Sequence, residues 1–201
     1  MKDYIRKSLE RAMDYDTYRS MLRNLLAEGK TTGPDQTPFH IEVATLNQKR
    51  MDRLDKRSEL IPELQAYIKG LDKKYIYLTL TEGWCGDAAQ LVPLIDKIAE
   101  STDKIEHKLL LRDENLALMD HYLTDGGRAI PMTIVLDAET GEEIGFWGPR
   151  PKEAQEMTMA YKHQAEPKPS YPEFHITLHT WYAKDKTLSF QREFLEAMKG
   201  W

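Results

Sequence analysis

The chain has 201 residues, 41% of them hydrophobic and 30% charged, with a net charge of −5. That composition supports a folded core, and the acidic balance argues against a nucleic-acid-binding domain, which would show a basic patch. The one cysteine, Cys85, excludes internal disulfides and any cysteine-based zinc or iron–sulfur centre.

The chain opens on helical spacing. Tyr4, Ile5, Leu9, Ala12 and Met13 recur at that period, and Tyr18, Met21, Leu22, Leu25 and Leu26 repeat it. Asp14 or Asp16 is suited to cap the second run and Gly29 to end it. Thr31 to Pro38 reads as a loop around Gly33-Pro34. A charged third helix is predicted over Ile41 to Arg57. Ser58 is expected to cap a fourth, Glu59 to Gly70, with Pro62 in its first turn. At Tyr75 the pattern changes: Tyr75 to Thr81 is nearly continuous in apolar content, as in a strand buried on both faces. Asp87 to Glu100 is helical, Ile105 to Leu111 a strand, Asn115 to Leu123 a helix. Met132 to Leu136 and Glu142 to Trp147 are strands joined by the turn Asp137–Gly141, hence antiparallel to each other. Glu153 to Gln164 is a helix. After a proline-rich break (Pro167, Pro169, Pro172), Phe174–Ala183 and Thr187–Lys199 are two more. The order β-α-β-α-β-β-α within helical flanks implies an α/β fold: a mixed sheet with helices on both faces. No apolar run reaches the roughly 18 residues of a membrane span. The mixed-charge start, Met1 to Glu10, has no signal-peptide core, so a cytoplasmic protein is expected.

The chemistry gathers at Thr81-Glu-Gly-Trp-Cys-Gly-Asp-Ala-Ala-Gln90, where the first strand meets a helix. A first helical turn offers unpaired N–H groups and the positive end of the helix dipole, and both favour a thiolate over a thiol. Cysteine is also a common small core residue, so an inert buried Cys85 is the competing reading.

Trp84-Cys85-Gly86-Asp87-Ala88 resembles the Trp-Cys-Gly-Pro-Cys motif of the thioredoxin superfamily. Pro93 falls eight residues after the cysteine, where that family kinks its helix. Ile130-Pro131 stands 46 residues on, where the family has a cis proline facing the thiol. The resemblance spans residues 60–165. It implies a thioredoxin-like core there, with helical extensions over 1–59 and 166–201, all packed as one globular unit. The runs Leu111–Asn115, Gly126–Pro131 and Phe146–Pro151 resemble a bacterial subgroup of the family with a Cys-Gly-Asp-Ala motif and long helical flanks. Cys85 is then the implied nucleophile, with Trp84, Gly86, Asp87 and Ala88 as its motif and Ile130 and Pro131 as the substrate-binding loop.

The departures narrow the expectation. Ala88 stands where thioredoxins carry the resolving cysteine, and Thr79 where they carry a buried acid. A mixed disulfide on Cys85 would then need an outside thiol to release it, which implies a monothiol thiol-disulfide exchange. Asp87 adds a like charge beside the thiolate. At ~5 Å and a surface-like dielectric the repulsion is of order 3 kcal/mol, enough to offset the dipole, so a thiol pKa less depressed than in a dithiol thioredoxin is expected.

The expected partner is a protein or small-thiol disulfide; no nucleic acid or membrane is expected, and a homodimer through the Tyr4–Met21 stripe is open. No cofactor is expected beyond a low-molecular-weight thiol as co-substrate, for which Arg112 and Arg128 are candidate anion binders. The alternative is a non-catalytic module that holds a peptide between Trp84 and Ile130-Pro131. A thiol peroxidase is disfavoured, because Glu82 stands three residues before the cysteine where peroxiredoxins have threonine. His175 and His179 share a helix face but lack a third ligand; they are expected to be solvated, and no metal site is expected.

Overall fold

The computed structural model describes residues 2–201. Four helices precede the sheet: α1 (Asp3–Leu9), α2 (Tyr15–Ala27), α3 (Pro38–Arg57) and α4 (Pro62–Lys69). Asp14 caps α2 by accepting from the Thr17 amide at 2.7 Å. Gly29, at φ +70°, turns the chain just beyond its end. Ser58 does not start α4, as expected from its type, but closes α3: its amide and hydroxyl both bond back to the Leu54 carbonyl. Helix α4 begins later, at Pro62, whose missing N–H costs nothing in a first turn.

The core follows as β1 (Tyr75–Thr81), α5 (Gly86–Glu100), β2 (Ile105–Leu111), α6 (Leu116–Met119), β3 (Met132–Asp137), β4 (Glu143–Trp147) and α7 (Lys152–His163). The helix expected over Asn115 to Leu123 is reduced to α6, preceded by a 3-10 turn at Arg112–Glu114. Asn115 separates α6 from the preceding turn. Its side chain donates to the Leu111 carbonyl and accepts from Arg11, holding its own backbone outside the helical region at φ −131°.

Sheet order is β2-β1-β3-β4. β1 runs parallel to β2 and antiparallel to β3, while β3 and β4 form an antiparallel pair. The outer edge of β2 is covered by Met13, whose N–H and C=O both bond to Leu109. Alternation sends Leu78, Leu80, Ile134 and Leu136 to one core and Tyr77 and Val135 to the other. Helices α1 and α2 close the first core. Helices α4, α8 (Tyr171–Asp185) and α9 (Leu188–Met198) close the second, with Phe190 and Phe194 buried there. Both faces are therefore sealed by the flanks, and α5 contributes to both cores. That leaves the end of the sheet where β1 meets α5 as the place for a site.

Candidate functional site

Cys85 is the N-cap of α5. Its sulfur accepts from the Ala88 amide at 3.4 Å and its thiol donates to the Ile130 carbonyl at 3.2 Å. The Ile130–Pro131 peptide bond is cis. Cys85 is 7% exposed. Burial, then the Asp87 charge, push its pKa up to about 12; the Ala88 and Asp87 amides and Arg150 act the other way without prevailing. The helix N-terminus therefore does not yield a thiolate here. The reason is desolvation, which the sequence does not display and which outweighs the dipole.

Asp87 points away from solvent into a three-way bond. Its Oδ2 accepts from Arg150 Nε and Nη2 at 3.0 and 2.8 Å, and its Oδ1 accepts from the Tyr182 hydroxyl at 2.6 Å. Arg150 also donates to Gln155 at 2.6 Å. The acid read in the sequence as a lone repulsive charge is thus half of a buried ion pair. Arg150 lies in Gly148-Pro-Arg-Pro151, where the flanking prolines were the only sequence signal of a fixed position.

Trp84 is half-buried at the rim. The Arg112 guanidinium lies 4.8 Å from its ring centroid, and His40 meets it edge-on at 5.7 Å. Ile130 lines the pocket, whereas Pro131 is buried and does not. Ala88 is buried too, and the chain has no second cysteine to stand in its place. Of the two arginines considered as anion binders, Arg112 pairs with Asp113 at 2.6 Å and Arg128 with Asp120 at 2.6 Å, and both line the pocket.

The histidines are not solvated, contrary to the expectation from sequence. Helix α8 crosses the start of α5, so His179 is buried and His175 partly so. Gln90 Nε2 lies 3.0 Å from His179 Nδ1, and the two Nε2 atoms lie 3.0 Å apart. Burial, then Arg50 and His175, hold the His179 pKa down to about 2, so the ring is neutral. Gly86 permits this crossing: a Cβ there would fall 2.5 Å from His179 Nε2 and 2.8 Å from His175 Nε2. His175, His179 and Tyr182 follow i, i+4, i+7 spacing, a mixed polar face whose partner 85 or more residues away no local pattern reveals. Among the described residues no group of three or more His, Cys, Asp or Glu side chains is placed to hold a metal ion.

Sequence reasoning also passed over Glu82 as anything but a mismatch. It is 1% exposed, Oε1 accepts from the Asp113 amide at 2.9 Å, and Oε2 has no partner. Burial pushes its pKa up to about 7. Thr79, at the place of the family's buried acid, bonds to His107 and Thr133, and His107 bonds on to Asp96 at 2.9 Å.

Together these residues enclose a pocket of about 310 Å³, walled by Trp84, Cys85, Ile130 and Arg150 and roofed by Tyr171 and His175. The two flanks meet above it, Phe39 of α3 edge-on to Tyr171 of α8 at 6.4 Å. A strand-end cysteine capping a helix opposite a cis proline defines a thioredoxin-fold protein. The family model described as Thioredoxin matches residues 33–164, and the chain belongs to that family. The match begins ahead of residue 60 and so takes in α3 as well. No curated protein matches the sequence. Among the crystal structures that share the fold are these two. One is a protein of unknown function from Pseudomonas aeruginosa, 16% identical, covering 96% of this chain and 95% of its own, with a TM-score of 0.61. The other is an HIV epitope-scaffold, 16% identical, covering 94% of this chain and 99% of its own, with a TM-score of 0.55.

Proposed function

We propose that the protein performs monothiol thiol-disulfide exchange on a small disulfide that enters the pocket. Cys85 is the nucleophile and an external thiol is the resolver. The observation that carries this reading is the Cys85 sulfur in the pocket wall, 3.2 Å from the Ile130 carbonyl and with no second cysteine in the chain. In the first step the Cys85 proton leaves to solvent and the thiolate attacks one sulfur of RS–SR. A Cys85–SR bond forms and RS⁻ departs. In the second, a thiolate R′S⁻ attacks the bound R sulfur, giving RS–SR′ and returning Cys85 to the thiol. The roof made by Tyr171 and His175, with Phe39 packed edge-on to Tyr171, favours a small disulfide over a folded protein client.

Because burial keeps Cys85 protonated, only a very small fraction of molecules carries the thiolate at pH 7. Exchange is slow at neutral pH on this reading. The same protonation favours a second reading, a binding module in which Cys85 is a neutral wall of the pocket. Intact mass spectrometry separates the two. Purified protein is incubated with 2-hydroxyethyl disulfide, with and without added thiol, alongside Cys85→Ser. Exchange predicts a single adduct that grows with pH and is removed by thiol. No adduct on folded protein at pH 9 rejects exchange and leaves the module. Turnover of insulin disulfides without added small thiol would contradict the monothiol scheme.

A further inference from the structure

A second site, a shallow open depression, lies between α3 and α8. Lys49, Arg50 and Arg53 line it from α3, and Ile176, His179 and Thr180 from α8, around a cleft of about 480 Å³. No carboxylate lines this cleft. Among the described residues none of its three cations has an ion-pair partner; Arg50 donates only to the amide oxygen of Asn47, at 2.7 Å. Two of the three acids of the same helix pair elsewhere. Asp52 and Asp55 both bind Arg19 of α2, at 2.5 and 2.8 Å. The two acids nearest these cations in sequence thus face α2, and the residues that α8 places in the cleft, Ile176, His179, Thr180 and Ala183, carry no carboxylate.

Such an arrangement is out of keeping with the rest of the molecule. The chain carries −5 overall, yet three cations converge here without compensation. Arg50 is half-buried, and burial together with Arg53 pulls its pKa down to about 10. Like charges held together in a concavity raise the local affinity for anions. Two guanidinium forks and an ammonium suit the oxygens of a phosphate dianion. The net negative charge of the chain favours a small anion over a polyanion or an anionic membrane, which the rest of the surface repels.

We propose that the α3–α8 cleft binds a phosphate-type oxyanion, free or on a small organic molecule, through Lys49, Arg50 and Arg53. This site is separate from the thiol pocket and does not depend on exchange at Cys85. The two are adjacent, since His179 lines both and bonds to His175 in the roof.

The test is a titration of the full chain with inorganic phosphate, a sugar phosphate and chloride at constant ionic strength, read by amide and side-chain NMR shifts. Phosphate is expected to give saturable shifts at Arg50, Arg53 and Gln90 that chloride does not. Tighter binding of the sugar phosphate would assign the natural ligand to an organic monoester, and equal binding to free phosphate. Losing one charge-assisted contact weakens binding about tenfold, so Arg53→Gln and Lys49→Gln should each do so, while Arg57→Gln on the same helix should not. Arg50→Lys guards against misfolding: it keeps the charge but loses the fork, and is expected to bind less tightly than the parent. Shifts no larger than those from chloride, or equal binding by parent and Arg53→Gln, would overturn the proposal. So would binding of an anionic vesicle or RNA with none of phosphate.

Discussion

Replacing Asp87 by asparagine isolates the electrostatics of the site. The carboxylate accepts three hydrogen bonds, from Arg150 at 2.8 and 3.0 Å and from Tyr182 at 2.6 Å, and both ion-pair side chains are about one-tenth exposed. Breaking a buried pair leaves the partner charge unpaired and costs about 3–5 kcal/mol. Asparagine keeps one acceptor, so the lower end, ~3 kcal/mol, is expected from urea unfolding at pH 7. The thiol should respond in the opposite sense. A charge ~6 Å away at an effective dielectric of ~20 is worth roughly 3 kcal/mol, or about two pKa units. Removing it lowers the Cys85 pKa, and Arg150, then uncompensated, adds to the effect. Two units give ~100-fold more thiolate, offset ~10-fold by the lower nucleophilicity of a more acidic thiol. Net alkylation by iodoacetamide at pH 8 should therefore rise about tenfold, measured by mass under conditions where both proteins are folded. A variant as stable as the parent, with an unchanged alkylation rate, would refute the claim that Asp87 both anchors Arg150 and disfavours the thiolate.

Three other outcomes follow from the same geometry. Alkylation of Cys85 in the parent should increase about tenfold per pH unit from pH 6 to 9 with no plateau, since its pKa lies near 12; a plateau below pH 8 would contradict the burial argument. Gly86→Ala places a methyl group against two imidazoles and should destabilise by about 1–3 kcal/mol, seen as a lower Tm. Glu82 binds its proton more tightly folded than unfolded, its pKa rising from 4.5 to about 7. Between those values the native state holds more protons at this site, so the contribution of Glu82 to stability is greatest below pH 4.5 and falls as pH rises to 7. The loss is about 3 kcal/mol. Glu82→Gln should abolish that slope in urea unfolding at pH 5 and pH 8.

The extensions on either side of the core give the site its character. In α3, Phe39 and His40 reach Tyr171 and Trp84, and in α8, Tyr171, His175 and Tyr182 cover the start of α5. Helix α8 therefore supplies the roof, the buried imidazoles and one of the three bonds that restrain Asp87.

Local pattern alone was enough for the strands Tyr75–Thr81 and Ile105–Leu111 and for the bulk of α2, α3, α5 and α7, because period-2 and period-3.6 burial is written in neighbouring side chains. It was likewise enough to put Cys85 at a strand-to-helix junction and Ile130-Pro131 before β3. It failed at Ser58, where a side chain bonding back to the preceding turn competed with helix propensity, and it overran the end of α6 at Met119. The protonation of Cys85, the neutrality of His179 and the pairing of Asp87 with Arg150 were beyond it. Each depends on how much water is removed by segments 60 to 95 residues away. Desolvation is a property of the packed interior, so only the folded chain determines whether a thiol at a helix start is charged.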